Sequence, residues 1–247
     1  MWRVIGLNVY RAAENMALDE AIGECVASGA SQPTVRFYKW LAPGSVSIGR
    51  FQRIADEVDL DACQGLGIDC VRRSTGGGAV FHDPDGEITY SVIAPARYFP
   101  GGITESYRQI CSFIIDSLAK LGISSEFRPV NDVVAGGKKI SGSAQTRRNG
   151  VITQHGTVLY SLDRDTMFSV LKPSRLKLMD KGLASFGDGV TCVKEECGAS
   201  IAELYEALLD GFTEDKEWRF GDVTESEKDL TLVYLKKYLS NEWTFSR

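Results

Sequence analysis

The stretch RRSTGGGAVFHD, Arg72 to Asp83, sets Gly76, Gly77 and Gly78 side by side between two apolar segments. Inside a helix or strand each glycine costs about 0.5–1 kcal/mol relative to alanine, so a triplet serves shape and not the stability of an element. Without Cβ atoms the backbone can turn through positive φ, come close to a ligand and aim its N–H groups at an anion, while Arg73 adds a planar fork of donors and Thr75 a hydroxyl. The same run also reads as a plain glycine-rich turn between strands. No Lys-Ser/Thr pair follows the last glycine and no G-x-G-x-x-G opens a helix, so the segment is neither a P-loop nor a dinucleotide-binding turn.

Outward from the triplet, IDCVRRS leads in and AVFH and EITYSVIA lead out, all three reading as strands, the last by its alternating Ile88, Tyr90 and Val92. Upstream, TVRFYKW (Thr34 to Trp40) and SVSIGR (Ser45 to Arg50) flank Leu41-Ala42-Pro43-Gly44 and predict a hairpin. Leu18, Ile22, Cys25 and Val26 keep helical spacing over Ala12 to Ala27, with Gly29 as a stop, and a short helix is expected near Leu60 to Gly65. Downstream, Gly101-Gly102 precedes a helix carrying Tyr107, Ile110, Ile114, Leu118 and Leu121, closed by Gly122. Lys138 to Ala144 and Gly150 to Leu162 predict strands joined by a turn at Arg147-Arg148-Asn149-Gly150, because Asn-Gly favours tight hairpins. Ser200-x-x-Glu203 and Thr224-x-x-Glu227 are capping boxes before helices at about 201–213 and 225–239. The expectation is one α+β domain over 1–247, with mixed and antiparallel sheets flanked by helices and a helical part from about 200.

A second segment, NDVVAGGKKISGSAQTRRNGVITQHG (Asn131 to Gly156), concentrates Lys138, Lys139, Arg147 and Arg148 without an acid between them. In a chain of net charge -5 this is either a solvated basic hairpin or a site for an anion. Lys139 precedes Ile140 and the small run Ser141, Gly142, Ser143, Ala144, so its ammonium can project where a ligand lies close. Asn131 and Asp132 read as a turn start, or as placing a carboxylate near a Mg²⁺-bound phosphate. His82 and His155 each stand in a glycine-rich segment, and each reads equally as a core or a pocket residue.

Composition narrows the chemistry further. There are 25 glycines where an average chain of 247 residues, at about 7%, has roughly 17, and only two histidines. A three-histidine metal site is excluded, which leaves backbone donors and cations as the working groups. The six cysteines form no C-x-x-C pair and are expected reduced and mostly buried. The charge balance speaks against nucleic acid as a partner. No signal-peptide pattern or membrane-length apolar run is present, so no membrane association and a cytoplasmic location are expected.

Together, RRSTGGGAVFHD, ND, KKISGSAQ and QHGTVL resemble the lipoate-protein ligase A family, within the wider biotin/lipoate ligase and octanoyltransferase superfamily. The likeness extends to ALDEAI, RFYKW, SVSIGRFQ and KKYLSNEW, and so over almost the whole chain. It implies a biotin/lipoate ligase-like catalytic domain that uses ATP and Mg²⁺ to join lipoate to AMP and then acylates a lysine of a lipoyl carrier. The carriers implied are the lipoyl domains of 2-oxoacid dehydrogenase E2 subunits and the glycine cleavage H protein. Lys139 matches the family's catalytic lysine. Arg73, Thr75, Gly76, Gly77, Gly78, Ala79, Val80, Phe81, His82, Asn131, Asp132, Ser141, Gly142, Ala144 and His155 match its substrate and ATP contacts, with Asp132 the one candidate metal ligand. Two departures stand out. The family's further C-terminal domain is not matched, which points to a separate accessory subunit. The octanoyltransferase branch carries a cysteine just before the KK strand, where this chain has Arg128-Pro129-Val130-Asn131-Asp132, which favours the ligase. A biotin ligase is disfavoured because RRSTGGG replaces its arginine-glycine loop.

Overall fold

A computed structural model describes residues 1–172 and 189–246. In chain order its strands are β1 Trp2–Tyr10, β2 Thr34–Trp40, β3 Ser45–Ile48, β4 Asp69–Arg72, β5 Val80–His82, β6 Glu87–Pro95, β7 Ser125–Arg128, β8 Asp132–Ala135, β9 Lys138–Arg148, β10 Val151–Leu159 and β11 Trp218–Phe220. Among the described residues they form an eight-stranded sheet, ordered β11-β1-β2-β6-β10-β9-β8-β7, and a three-stranded sheet, ordered β4-β3-β5. In the large sheet β1 runs parallel to β2 and β11, and the remaining neighbours are antiparallel. This is the mixed α+β architecture anticipated from the sequence.

Helices cover the large sheet on both faces because its central strands are apolar on both. On one face α1 (Ala12–Ser28) packs Ile22 and Val26 against Ile5, Ile93 and Val151. On the other, Ile110, Ile114 and Leu118 of the helix Ile103–Lys120 and Leu204, Leu208 and Phe212 of the helix Ile201–Thr213 meet Phe37, Tyr90 and Ile152. Each such side chain, fully buried, contributes roughly 1.5–3 kcal/mol. The helix Glu225–Tyr238 packs on α1. Both predicted capping boxes form, Ser200 with Glu203 and Thr224 with Glu227. Asn149 (φ 51°) and Gly150 (φ 75°) supply the two left-handed residues of the tight turn between β9 and β10. That turn lets β9 run on to Arg148, beyond the Ala144 expected.

The predicted hairpin of Thr34–Trp40 with the next strand does not form. β2 is already paired on both edges, by β1 and β6, so it offers β3 no ladder. β3 instead founds the small sheet, between parallel β4 and antiparallel β5. It ends at Ile48, short of the expected Arg50, where Gly49 donates to Gln52 Oε1 at 2.8 Å and the chain turns. Strands β1, β7, β8 and β11 were not anticipated. No helix among the described residues is long and apolar enough to cross a membrane.

Candidate active site

The glycine triplet lies in the link from β4 to β5 and faces β9 and β10 of the large sheet. Two cavities adjoin there, with Met16 and His155 in the walls of both. The first is lined by Arg73, Gly77, Gly78, Ala79, Val80, Phe81, His82, Asn131, Lys139, Gly142, Ala144 and His155 among others, so the two glycine-rich segments do converge on one space. Gly76 faces the second, together with Ser74, Glu20, Gly23, Phe51, Val151 and Trp243. Three predicted residues stand behind these walls. Ser141 is fully buried with its hydroxyl unpaired, Thr75 is buried beneath the loop, and Asp132 backs Lys139.

Lys139 reaches the cavity through an irregularity. Regular alternation would put residues 139 and 141 on one side of β9. The ladder with β8 shifts register instead: Val133 faces Ser141 while Val134 faces Lys139, and Ile140, left over, goes into the core. Lys139 thereby shares the cavity side with Gly142 and Ala144. Its Nζ lies 2.6 Å from Asp132 Oδ1, and Arg128 Nη2 lies 3.7 Å from Asp132 Oδ2. Asn131 is fixed by its carbonyl, which accepts from Ser143 N at 2.9 Å, and by its amide, which donates to the Ser143 carbonyl. Asp132 thus stands between two cations, and no group of three or more potential ligand side chains occurs among the described residues.

Arg73 is 6% exposed, and its donors point into the protein. Nη1 donates to the Ser47 carbonyl (2.9 Å) and Oγ (2.7 Å), and Nη2 to the carbonyls of Gly76 (3.0 Å) and Gly78 (2.9 Å). Arg73 also lines the first cavity, where a ligand contact is expected of it, but none of these hydrogen bonds is spent on the cavity. It holds the loop instead: a peptide whose C=O turns onto Arg73 has its N–H on the opposite side, so the amides of Gly77 and Ala79 face away from the guanidinium. Gly77 takes φ 99° in this turn, a conformation a side chain would strain. Among the described residues no carboxylate pairs with Arg73, and burial draws its pKa down to about 10, so it remains a cation at neutral pH.

Both histidines stand next to this arginine. His82 lies between Glu87 Oε1 (2.7 Å from Nδ1) and Ser47 Oγ (2.6 Å from Nε2), stacked on Trp40 at 3.8 Å between ring centres. His155 lies between Asp19 Oδ2 (3.1 Å from Nδ1) and Thr75 Oγ1 (2.9 Å from Nε2). Burial pushes the pKa of His155 below its ordinary value against the pull of Asp19. Burial alone would raise Asp19, but Arg36 at 2.7 Å, His155 and Ser91 outweigh it and keep the carboxyl ionised. Asp19, Glu87, Ser47 and Arg36 were not singled out in the sequence. The one available signal was Arg36, a charge set between Val35 and Phe37 in the strand TVRFYKW, which once buried demands an acid.

None of the six cysteines is among the described residues lining either cavity. All are free, four of them buried. Cys111 places its Sγ 3.8 Å from Oγ of Ser143, a residue of the first cavity's wall, and burial pushes its thiol up to about 11.

Comparison with known proteins places this architecture. A family profile described as the lipoyl protein ligase A/B catalytic domain matches residues 11–213. The octanoyltransferase LipM of Kyrpidia tusciae is 37% identical over 274 residues, spanning 100% of this chain and 99% of that protein. Among solved structures, the bi-partite lipoate protein ligase of Thermoplasma acidophilum, studied with its E2 lipoyl domain, superposes with a TM-score of 0.86 at 34% identity, over 98% of this chain and 95% of that one. A lipoate-protein ligase A bound with ATP gives a TM-score of 0.85 at 33% identity, over 98% of each chain.

Proposed function

This chain belongs to the lipoyl protein ligase A/B catalytic-domain family, and on that premise we propose that it is an ATP-dependent lipoate-protein ligase. The observation that carries the reading is the pairing of a strand-borne lysine over a bare glycine with a loop of oriented amides, in cavities whose described walls hold no thiol. In the first half-reaction a lipoate carboxylate oxygen attacks the α-phosphorus of ATP, the bond to the bridging oxygen breaks, and pyrophosphate leaves. Charge builds on the α-phosphate oxygens, where the Lys139 ammonium and the amides of Gly77 and Ala79 stabilise it without reorganising. In the second, the ε-amine of a carrier lysine attacks the acyl carbon and AMP leaves. The first cavity, with Val80, Phe81 and Leu159 for an adenine ring and Lys139 for the phosphate, takes the nucleotide. The acyl chain runs past His155 and Gly76 into the second, against Met16, Gly23 and Val151. Mg²⁺ would accompany the nucleotide's phosphates, with Asp132 the candidate carboxylate beside them. The carriers are lipoyl domains of E2 subunits and H protein, and a separate accessory subunit assists the adenylation step, as the bi-partite relative suggests.

The LipM relatives favour a second reading, transfer of an octanoyl group through a cysteine thioester. Cys111 does not suit it, because a thiol with a pKa of about 11 is almost wholly protonated at neutral pH and a nucleophile must be the thiolate. Pyrophosphate release separates the two: it should depend on lipoate and vanish in Lys139→Ala. Release undiminished in that variant would remove Lys139 from the mechanism.

A further inference from the structure

Arg73 is a buried cation with two hydroxyls against it, Ser47 Oγ at 2.7 Å from Nη1 and Thr75 Oγ1 at 3.4 Å from Nε. Each hydroxyl oxygen accepts from the guanidinium, so its own proton must go elsewhere. Ser47 is fully buried and Thr75 nearly so, and among the described residues the only other partner of each hydroxyl is a histidine Nε2. Satisfying every proton therefore fixes both rings: Nε2 accepts the hydroxyl, and Nδ1–H donates to a carboxylate, Glu87 for His82 and Asp19 for His155. Glu87 is 1% exposed, and its Oε1 also accepts from Thr89 Oγ1 at 2.9 Å, which in turn accepts from Trp40 Nε1. Among the described residues no Lys or Arg forms an ion pair with it. Its negative charge answers that of Arg73 through two intervening side chains.

We propose that Glu87 and Asp19 are positioning residues that act through His82–Ser47 and His155–Thr75 to orient the Arg73 guanidinium, and through it the amides of the Gly76–Gly78 loop. The proposal rests on the reading of this loop as the nucleotide site and extends it to side chains that do not touch the loop. Each chain of hydrogen bonds has a direction, set at its carboxylate end. With Glu87→Gln, the amide can present an N–H to His82, which turns the ring's proton to Nε2. Ser47 then receives two N–H donors besides being a donor itself, and Arg73 loses its fixed seat.

The test is a double-mutant cycle read by calorimetric titration of the protein with MgATP. Glu87 and Ser47 do not touch, so independent packing defects would multiply, whereas members of one chain would not. We expect Glu87→Gln and Ser47→Ala each to weaken MgATP binding about tenfold and the double variant to be no weaker than the worse single one. A parallel cycle on Asp19→Asn and Thr75→Ala gives the same answer from the other side if either variant of the first cycle fails to fold. Multiplicative losses near a hundredfold, or unchanged affinity in Glu87→Gln, overturn the relay. Failure of the unaltered protein to bind MgATP overturns the nucleotide site itself, and the relay's purpose with it.

Discussion

The side chain of Lys139 lies across the α-carbon of Gly142, close enough that a methyl group there would fall on Cε and Nζ. The register shift at Ile140 brings the two onto one side of β9, and Asp132, opposite Gly142 in the ladder, holds the ammonium from beneath. Gly142→Ala should therefore separate activity from stability. Displacing the ammonium by about 1 Å costs on the order of 10²-fold in turnover, whereas removing a glycine from a strand interior costs no stability and can add about 0.5–1 kcal/mol. Steady-state acyl transfer and a thermal melt on the same sample check this. Full activity, or a collapse of the melt, would contradict it.

Glu227 ties the helix Glu225–Tyr238 into the core. Its carboxylate, fully buried, accepts from Arg3 Nη2 at 2.5 Å and Nη1 at 2.8 Å and from Ser31 Oγ at 2.7 Å while completing the helix's capping box. Burial alone would raise its pKa, but Arg3, Ser31 and the Thr224 amide together hold it below the ordinary 4.5. A lowered folded pKa means stability fully present above about pH 4.5 and lost as pH falls through the folded value. Urea titrations should show that loss below pH 4.5, and Glu227→Ala, which strands the Arg3 charge, should cost about 3–5 kcal/mol at pH 7. A cost under 1 kcal/mol would show the pair to be idle.

How far the sequence reaches is visible in these residues. The two glycine-rich segments, the Asn-Gly turn and both capping boxes lie within short windows, and each formed where local chemistry put it. The partner of a strand is decided elsewhere: β2 rejects β3 because β1 and β6 already flank it, and β1 itself carries Arg3 and Asn8 within its apolar pattern. For the same reason the site was half legible. Lys139 and the loop were marked by type and spacing, but the direction of Arg73 depends on Ser47, Glu87 and Asp19, which approach from three other elements. Asp19, inside ALDEAI, looks like an ordinary helix-surface acid until Arg36 is brought against it.

The cysteines offer a chemical check. Cys197 is exposed, whereas Cys25, Cys63, Cys111 and Cys192 are buried and burial pushes Cys111 up to about 11. Iodoacetamide at neutral pH should modify Cys197 readily, leave Cys111 intact and spare acyl transfer, since reactivity follows the thiolate. Loss of activity in step with alkylation of Cys111, read by peptide mass, would contradict the account. Cys111→Ser should retain activity within a few-fold.

The hairpin turn is a simpler case. Gly150 holds φ 75° with no neighbour crowding its α-carbon, so Gly150→Ala meets only backbone strain, about 1–2 kcal/mol. The melt should fall accordingly with KM for lipoate unchanged. A change in KM would mean that the turn itself touches the acyl group.

The most direct test is the intact mass of an apo lipoyl domain after incubation with this chain in which all six cysteines are replaced by serine or alanine. With ATP, Mg²⁺ and lipoate, and with the accessory subunit supplied in a parallel arm, the account predicts that the carrier gains one lipoyl group and that omitting ATP abolishes the gain. If instead the carrier is modified only by the cysteine-containing chain, from an octanoyl thioester donor and without ATP, the adenylate account is wrong and the protein is a thiol-dependent transferase.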